Sequence, residues 1–187
     1  DDLIAIADLC AAYGAWLHVD AAFGMFAALD DRRAHLLAGL DRADSITSDG
    51  HKWLNVPYDC GIFLTRHISV LETCCRAFAP YLQTDAVGNM YINRGVENSR
   101  RFRALPLWLA MVAYGRDGFA GIVRANCDQA VDLAQWVRGH DRLELLADPK
   151  LNVTMFTGPG SDDDNRALLA RINATGKLFM TPTIYGG

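Results

Sequence analysis

The sequence predicts an α/β fold with at least some parallel strand pairing. Three observations carry that reading. Amphipathic helical stretches alternate with short apolar runs along residues 3–65, the runs end in polar turns, and the composition is that of an ordinary globular chain. With 187 residues, 51% apolar and 21% charged, there is enough chain for one sizeable domain or a domain and a half.

Residues 3–13 carry apolar side chains at helical spacing, and Gly14 behind them suits a C-cap. Residues 15–19 read as a short buried strand ending at Asp20. Residues 33–40 read as a short helix closing at about Gly39. A second strand over 45–48 runs into an Asp49-Gly50 turn, and 61–65 is a third. Residues 68–78 are expected to be helical and to stop at Pro80. The stretch 80–99 has little periodicity and reads as a long loop of the functional kind. Two helices follow over 105–114, with Pro106 tolerated in its first turn, and over 117–138. Strands over 143–146, 151–156 and 178–181 and a helix over 164–172 complete the chain, and a composition shift near 140 predicts a domain boundary there.

A net charge of −4 and no basic stripe argue against nucleic acid and anionic membrane as partners. No apolar run reaches the length of a membrane span, and the first residues lack the sections of a signal peptide. The five cysteines are irregularly spaced, without a C-x-x-C, and read as reduced thiols of a cytoplasmic protein. The chain opens inside a helical pattern without methionine and stops just after a strand-like run, which reads as a piece of a longer protein.

The chemistry concentrates in two places. His18-Val-Asp20-Ala-Ala22 puts a carboxylate at a strand end beside small residues, and Asp49-Gly-His51-Lys52 puts a lysine after a second strand. Ends of strands in α/β sheets are where ligands bind. A lysine amine to link to an aldehyde and a carboxylate to keep a pyridine nitrogen protonated are what pyridoxal 5'-phosphate requires. Each residue also has an ordinary use, Lys52 as a surface lysine and Asp20 as a turn former. His18 and Asp20 at i and i+2 would suit a metal, but no further ligand stands at useful spacing. Tyr81 in the long loop is either a general acid on a lid or an exposed tyrosine without a role. Arg100, Arg101 and Arg103 either meet an anion at a helix start or solvate that face.

HVDAAFG (18–24), DSITSDGHKWLNVPYDCG (44–61), PYL (80–82), SRRFRALPLW (99–108) and the later pattern LNVTMF … ALLARINATGKLFMT together resemble the group II pyridoxal-phosphate-dependent amino-acid decarboxylases, which include the aromatic-L-amino-acid, histidine and glutamate decarboxylases. The resemblance runs through nearly the whole chain in consistent order. It implies the type I (aspartate aminotransferase-like) fold in part: 1–140 as the second half of the large cofactor domain, with the catalytic loop over 79–99, and 141–187 as a truncated small C-terminal α+β domain. It implies Lys52 as the lysine that holds the cofactor, Asp20 on the pyridine nitrogen and Ala22 against the ring. His51 and Asp49 would lie near the phosphate, with His51 also close to substrate. Tyr81, 29 residues after Lys52, would return a proton to the α-carbon. Ser99 would reach the cofactor phosphate of a partner subunit, implying a homodimer with shared sites. The expected activity is decarboxylation of an L-amino acid to its amine and carbon dioxide. Another reaction on the same fold, such as transamination or desulfuration, and a non-catalytic remnant are the alternatives.

The chain departs from the family where Asp49-Gly50 replaces Asn-Pro, a change that reads as loosening the turn and weakening any phosphate contact. The family's N-terminal half, with the ring-stacking histidine and the main phosphate ligands, has no counterpart in these residues. The chain alone is therefore expected to be inactive, to bind the cofactor weakly and to aggregate.

Overall fold

The computed structural model describes residues 2–77 and 91–185, which belong to two compact units, Asp1–Val123 and Arg124–Gly187. In the first, helix α1 (Leu3–Tyr13) starts where Asp2 accepts a hydrogen bond from Ala5 N. It ends at Gly14, whose φ of 61° glycine adopts without penalty. Ala7 on α1 packs with Leu17 and Ala43, and Cys10, Val19 and Ile46 close around them.

Strands β1 (His18–Asp20) and β2 (Ser45–Asp49) pair in parallel with Asp20 opposite Thr47, and β3 (Gly61–Thr65) pairs antiparallel on the other side of β2. The first strand is shorter than the 15–19 run suggests. Asp44 fastens the start of the β1–β2 pair: Oδ2 accepts from Leu17 N at 2.8 Å, and Oδ1 meets His67 Nε2 at 2.7 Å. Those contacts, the Leu17 bond foremost, hold the Asp44 carboxyl below the usual carboxylate range.

Between β1 and β2 the expected helix over 33–40 is replaced by 3-10 turns, Gly24–Leu29, Ala34–Leu37 and Leu40–Arg42. Gly39 explains the difference. Its φ is 90°, and a Cβ there would stand 2.8 Å from Ile4 N, so the chain turns tightly against α1. Asp30, 1% exposed, anchors the same stretch through Arg32 Nε at 3.1 Å and an ion pair with Arg33. Burial pushes its carboxyl up, but the bonds from Arg32 and Arg33 outweigh burial and hold its pKa at about 2.

Helix α2 (Ile68–Cys74) stops short of the expected 78, and Cys75 N bonds back to Leu71 O. Pro80 lies outside the described residues. A 3-10 turn at Tyr91–Asn93 returns the chain to α2: Asn93 Oδ1 accepts from Ala77 N at 3.1 Å, and Arg94 Nε donates to Glu72 at 3.0 Å. Helix α3 (Ala104–Arg138) breaks at Gly115, φ 59° and ψ −176°, so the two helices that the spacing predicts meet at that residue. After the break the buried stripe Phe119, Val123, Cys127, Ala130, Ala134 and Val137 recurs at the three-to-four-residue period of a helix face.

In the second unit, β4 (Glu144–Ala147) and β5 (Met155–Thr157) pair antiparallel. Helix α4 (Asp162–Ala174) begins with a capping box between Ser161 and Asp164. The strand expected over 178–181 does not form. The Asn173 side chain bonds both Met180 N and Met180 O at 2.9 Å, occupying backbone groups that a strand partner would otherwise use.

All five cysteines are free thiols. Large apolar side chains stand exposed on α1 (Leu9, Tyr13), on β3 (Phe63, Leu64) and on the first part of α3 (Trp108, Leu109, Met111, Val112). Among the described residues no helix is long and apolar enough to cross a membrane.

Candidate active site

Because β1 and β2 are parallel neighbours, their C-terminal ends open on one edge of the sheet, and the two motifs meet there. The pairing continues past the strands: Ala21 N donates to Thr47 O at 2.9 Å and Asp49 N donates to Ala22 O at 2.8 Å. Buried Ser48 adds a donation from Oγ to Ala22 O at 3.4 Å. Asp20 is exposed, and Ala22 N fixes its Oδ1 at 3.1 Å, which orients the carboxylate at the strand end. Ala21 is buried and Ala22 half-buried, leaving a low surface beside that carboxylate.

Lys52 stands in the turn after β2. Its Nζ is 3.0 Å from Asp49 Oδ2 and 5.6 Å from the centroid of the Phe23 ring. Phe23, three residues beyond Asp20, therefore links the lysine to the carboxylate motif and packs edge-on against Trp53 at 5.5 Å. Trp53 turns into the core at 5% exposure, so it does not desolvate Lys52, whose side chain is 39% exposed. Asp49 holds the lysine amine rather than standing open at the turn.

Gly50 does not loosen this turn. Its N–H donates to Cys60 O at 2.7 Å, and a Cβ would stand 2.8 Å from Cys60 Sγ. That close approach leaves little room for a Cβ at position 50. Asn55 closes the far side with a φ of 55° and a bond from its N–H to Lys52 O at 3.0 Å. The chain then returns through Tyr58, Asp59 and Cys60. The Cys60 N–H donates to His51 Nδ1 at 3.1 Å, and the Tyr58 ring covers the imidazole at 4.0 Å. Burial raises the Cys60 thiol above its ordinary range, with Asp59 and Asp49 adding to the effect.

Arg103 Nε donates to Asp59 Oδ2 at 2.8 Å, and Arg101 pairs with Asp59 Oδ1. The Arg103 bond first, then Arg101, holds the Asp59 carboxyl far below the carboxylate range, while Asp59 and Glu97 push Arg103 up. Two of the three arginines thus meet a carboxylate just ahead of α3, that of Asp59, and through it hold the Lys52-motif turn. Ser99 is exposed on the segment before them. Tyr81 lies outside the described residues. His18 Nδ1 stands 2.7 Å from Ser45 Oγ, and among the described residues no three metal-ligand side chains are grouped.

The structure brings together Asp20, Ala22, Asp49, His51 and Lys52. Sequence reasoning missed Phe23, Tyr58, Asp59 and Cys60. All four lie inside the quoted motifs, but nothing in linear spacing says that 58–60 folds back onto 50–51.

A family model described as the pyridoxal-dependent decarboxylase conserved domain matches residues 1–157. Aromatic-L-amino-acid decarboxylase of Drosophila lebanonensis is 33% identical over 172 residues, which is 91% of this chain and 43% of that protein. The crystal structure of Oryza sativa TDC with PLP and tryptamine superposes with a TM-score of 0.89 at 31% identity, over 98% of this chain and 40% of that one. Rhodiola rosea 4-hydroxyphenylacetaldehyde synthase superposes with a TM-score of 0.85 at 28% identity, over 100% of this chain and 39% of that one. The chain spans about two fifths of the length of the relatives it matches.

Proposed function

The chain belongs to the pyridoxal-dependent decarboxylase family, and from that premise we propose that it is part of an enzyme that decarboxylates an L-amino acid to the amine and carbon dioxide. Its fold is, in part, the type I fold of pyridoxal-phosphate enzymes. One observation carries the reading: Asp20 ends β1, and Lys52 stands in the turn just after β2, the parallel neighbour of β1, with its amine over the ring of Phe23 from the Asp20 motif.

These residues fit pyridoxal phosphate. An exposed carboxylate oriented by a backbone N–H, a low alanine surface and a primary amine on one sheet edge match its pyridine nitrogen, flat ring and aldehyde. Lys52 would hold the aldehyde carbon, Asp20 the ring nitrogen, Ala22 a ring face, and His51 a position beside phosphate and substrate. When bound, the cofactor supplies an electron sink for the pair left as the substrate carboxylate departs. Asp20 would keep a proton on the ring nitrogen through a charge-assisted bond. Asp49 acts through Lys52, whose amine it holds. Tyr81 returns a proton to the substrate α-carbon, and Ser99 serves the site of a second copy in a homodimer. The surroundings are the reducing cytoplasm.

Lys52→Ala in the complete protein tests the reading. Release of carbon dioxide and cofactor fixed by borohydride at position 52 are both expected to vanish, and persistence of decarboxylation would falsify it. Product analysis separates the reactions, since amine, aldehyde and keto acid are distinct outcomes.

A further inference from the structure

His51 can serve a site as donor or acceptor, and the turn that packs on it decides between them. The Cys60 N–H donates to Nδ1 at 3.1 Å, so Nδ1 presents a lone pair there and the proton of the neutral ring belongs on Nε2. The Tyr58 ring lies 4.0 Å from the imidazole with 33° between planes, and the His51 side chain is only 11% exposed. Nε2 points towards Asp49 Oδ2 at 3.6 Å, the oxygen that Lys52 Nζ reaches at 3.0 Å. The turn itself is held from outside by Arg101 and Arg103 on Asp59.

We infer that Tyr58 and the Cys60 amide are positioning groups that lock His51 in its Nε2–H form, so that the ring offers the site a fixed donor beside Lys52 and cannot act there as a base through Nδ1. The role at the site rests on Lys52 being the cofactor lysine; the hydrogen bond and the tautomer do not.

The test is a through-hydrogen-bond nitrogen–nitrogen coupling measurement on the nitrogen-15-labelled full chain, above the ordinary histidine range. A correlation joining Cys60 N to His51 Nδ1, with the ring proton on Nε2, is expected. Tyr58→Phe keeps the ring and should keep the correlation, whereas Tyr58→Ala should lose it. A proton on Nδ1, or a correlation untouched by Tyr58→Ala, overturns the inference. Amide exchange at Cys60, read by mass spectrometry in dilute solution, gives a second reading. His51→Ala should speed it about fivefold, the worth of one hydrogen bond, and an unchanged rate counts against the lock. Neither readout involves turnover, so this inference and the decarboxylase reading, which Lys52→Ala tests, fail separately.

Discussion

A methyl group at Gly50 would stand 2.8 Å from Cys60 Sγ and 3.3 Å from Val56 Cγ2. The shorter contact is at least roughly 0.7 Å inside the ~3.5–4.0 Å optimum for non-bonded heavy atoms. Little can yield, because Cys60 is 4% exposed and its carbonyl accepts from Gly50 N at 2.7 Å. Overpacking of this kind costs about 1–3 kcal/mol. Losing glycine's freedom in the unfolded chain returns about 0.4–1 kcal/mol. Gly50→Ala is therefore expected to destabilise the chain by about 1–2 kcal/mol net. Urea unfolding of the wild type, Gly50→Ala, Cys60→Ala and the double variant closes a cycle. Removing Sγ makes room for the methyl, so the double variant should be more stable than the two single costs predict, by about 1 kcal/mol. A neutral Gly50→Ala, or costs that simply add, would refute the close-approach account and return Gly50 to a loose turn.

The remaining predictions concern charge and capping. Asp30 has a folded pKa of about 2 against an ordinary 3.8, so its contribution to stability is present above the unfolded value and lost as pH falls from about 4 through about 2. That contribution is about 2 kcal/mol, and unfolding of Asp30→Asn should show the wild-type advantage vanishing across that window. Asp49→Asn releases the Lys52 amine from a 3.0 Å ion pair. Since such partly exposed pairs are worth about 0.2–1 kcal/mol, capture of pyridoxal phosphate, counted as borohydride-fixed adduct, should tighten by less than about fivefold. Weaker capture would give Asp49 a direct role in binding. Ser161→Ala removes the cap and half the capping box of α4. It should cost about 0.5–2 kcal/mol, read as faster amide exchange in that helix.

The elements that were legible in advance are those whose signal is local. Gly14 after an apolar helical stripe, Gly115 between two such stripes and the Asp49-Gly50 turn after β2 each mark a boundary, because backbone preference acts over a few residues. The 33–40 stretch and the 178–181 run misled for the complementary reason. Gly39 against Ile4, and Asn173 on Met180, are contacts that override local propensity.

By itself the sequence determined that this chain carries a carboxylate and a lysine at two strand ends in a pyridoxal-dependent pattern, since motif chemistry is written in residue type and order. Tertiary structure decided how they meet. Parallel pairing of β1 and β2 puts both ends on one edge, the Phe23 ring lies under the Lys52 amine, and Asp49 holds that amine. It also decided that the 58–60 turn, held by Arg101 and Arg103, governs His51. Those contacts join residues up to 44 positions apart, and a chain reversal of that kind leaves no period in the sequence to read.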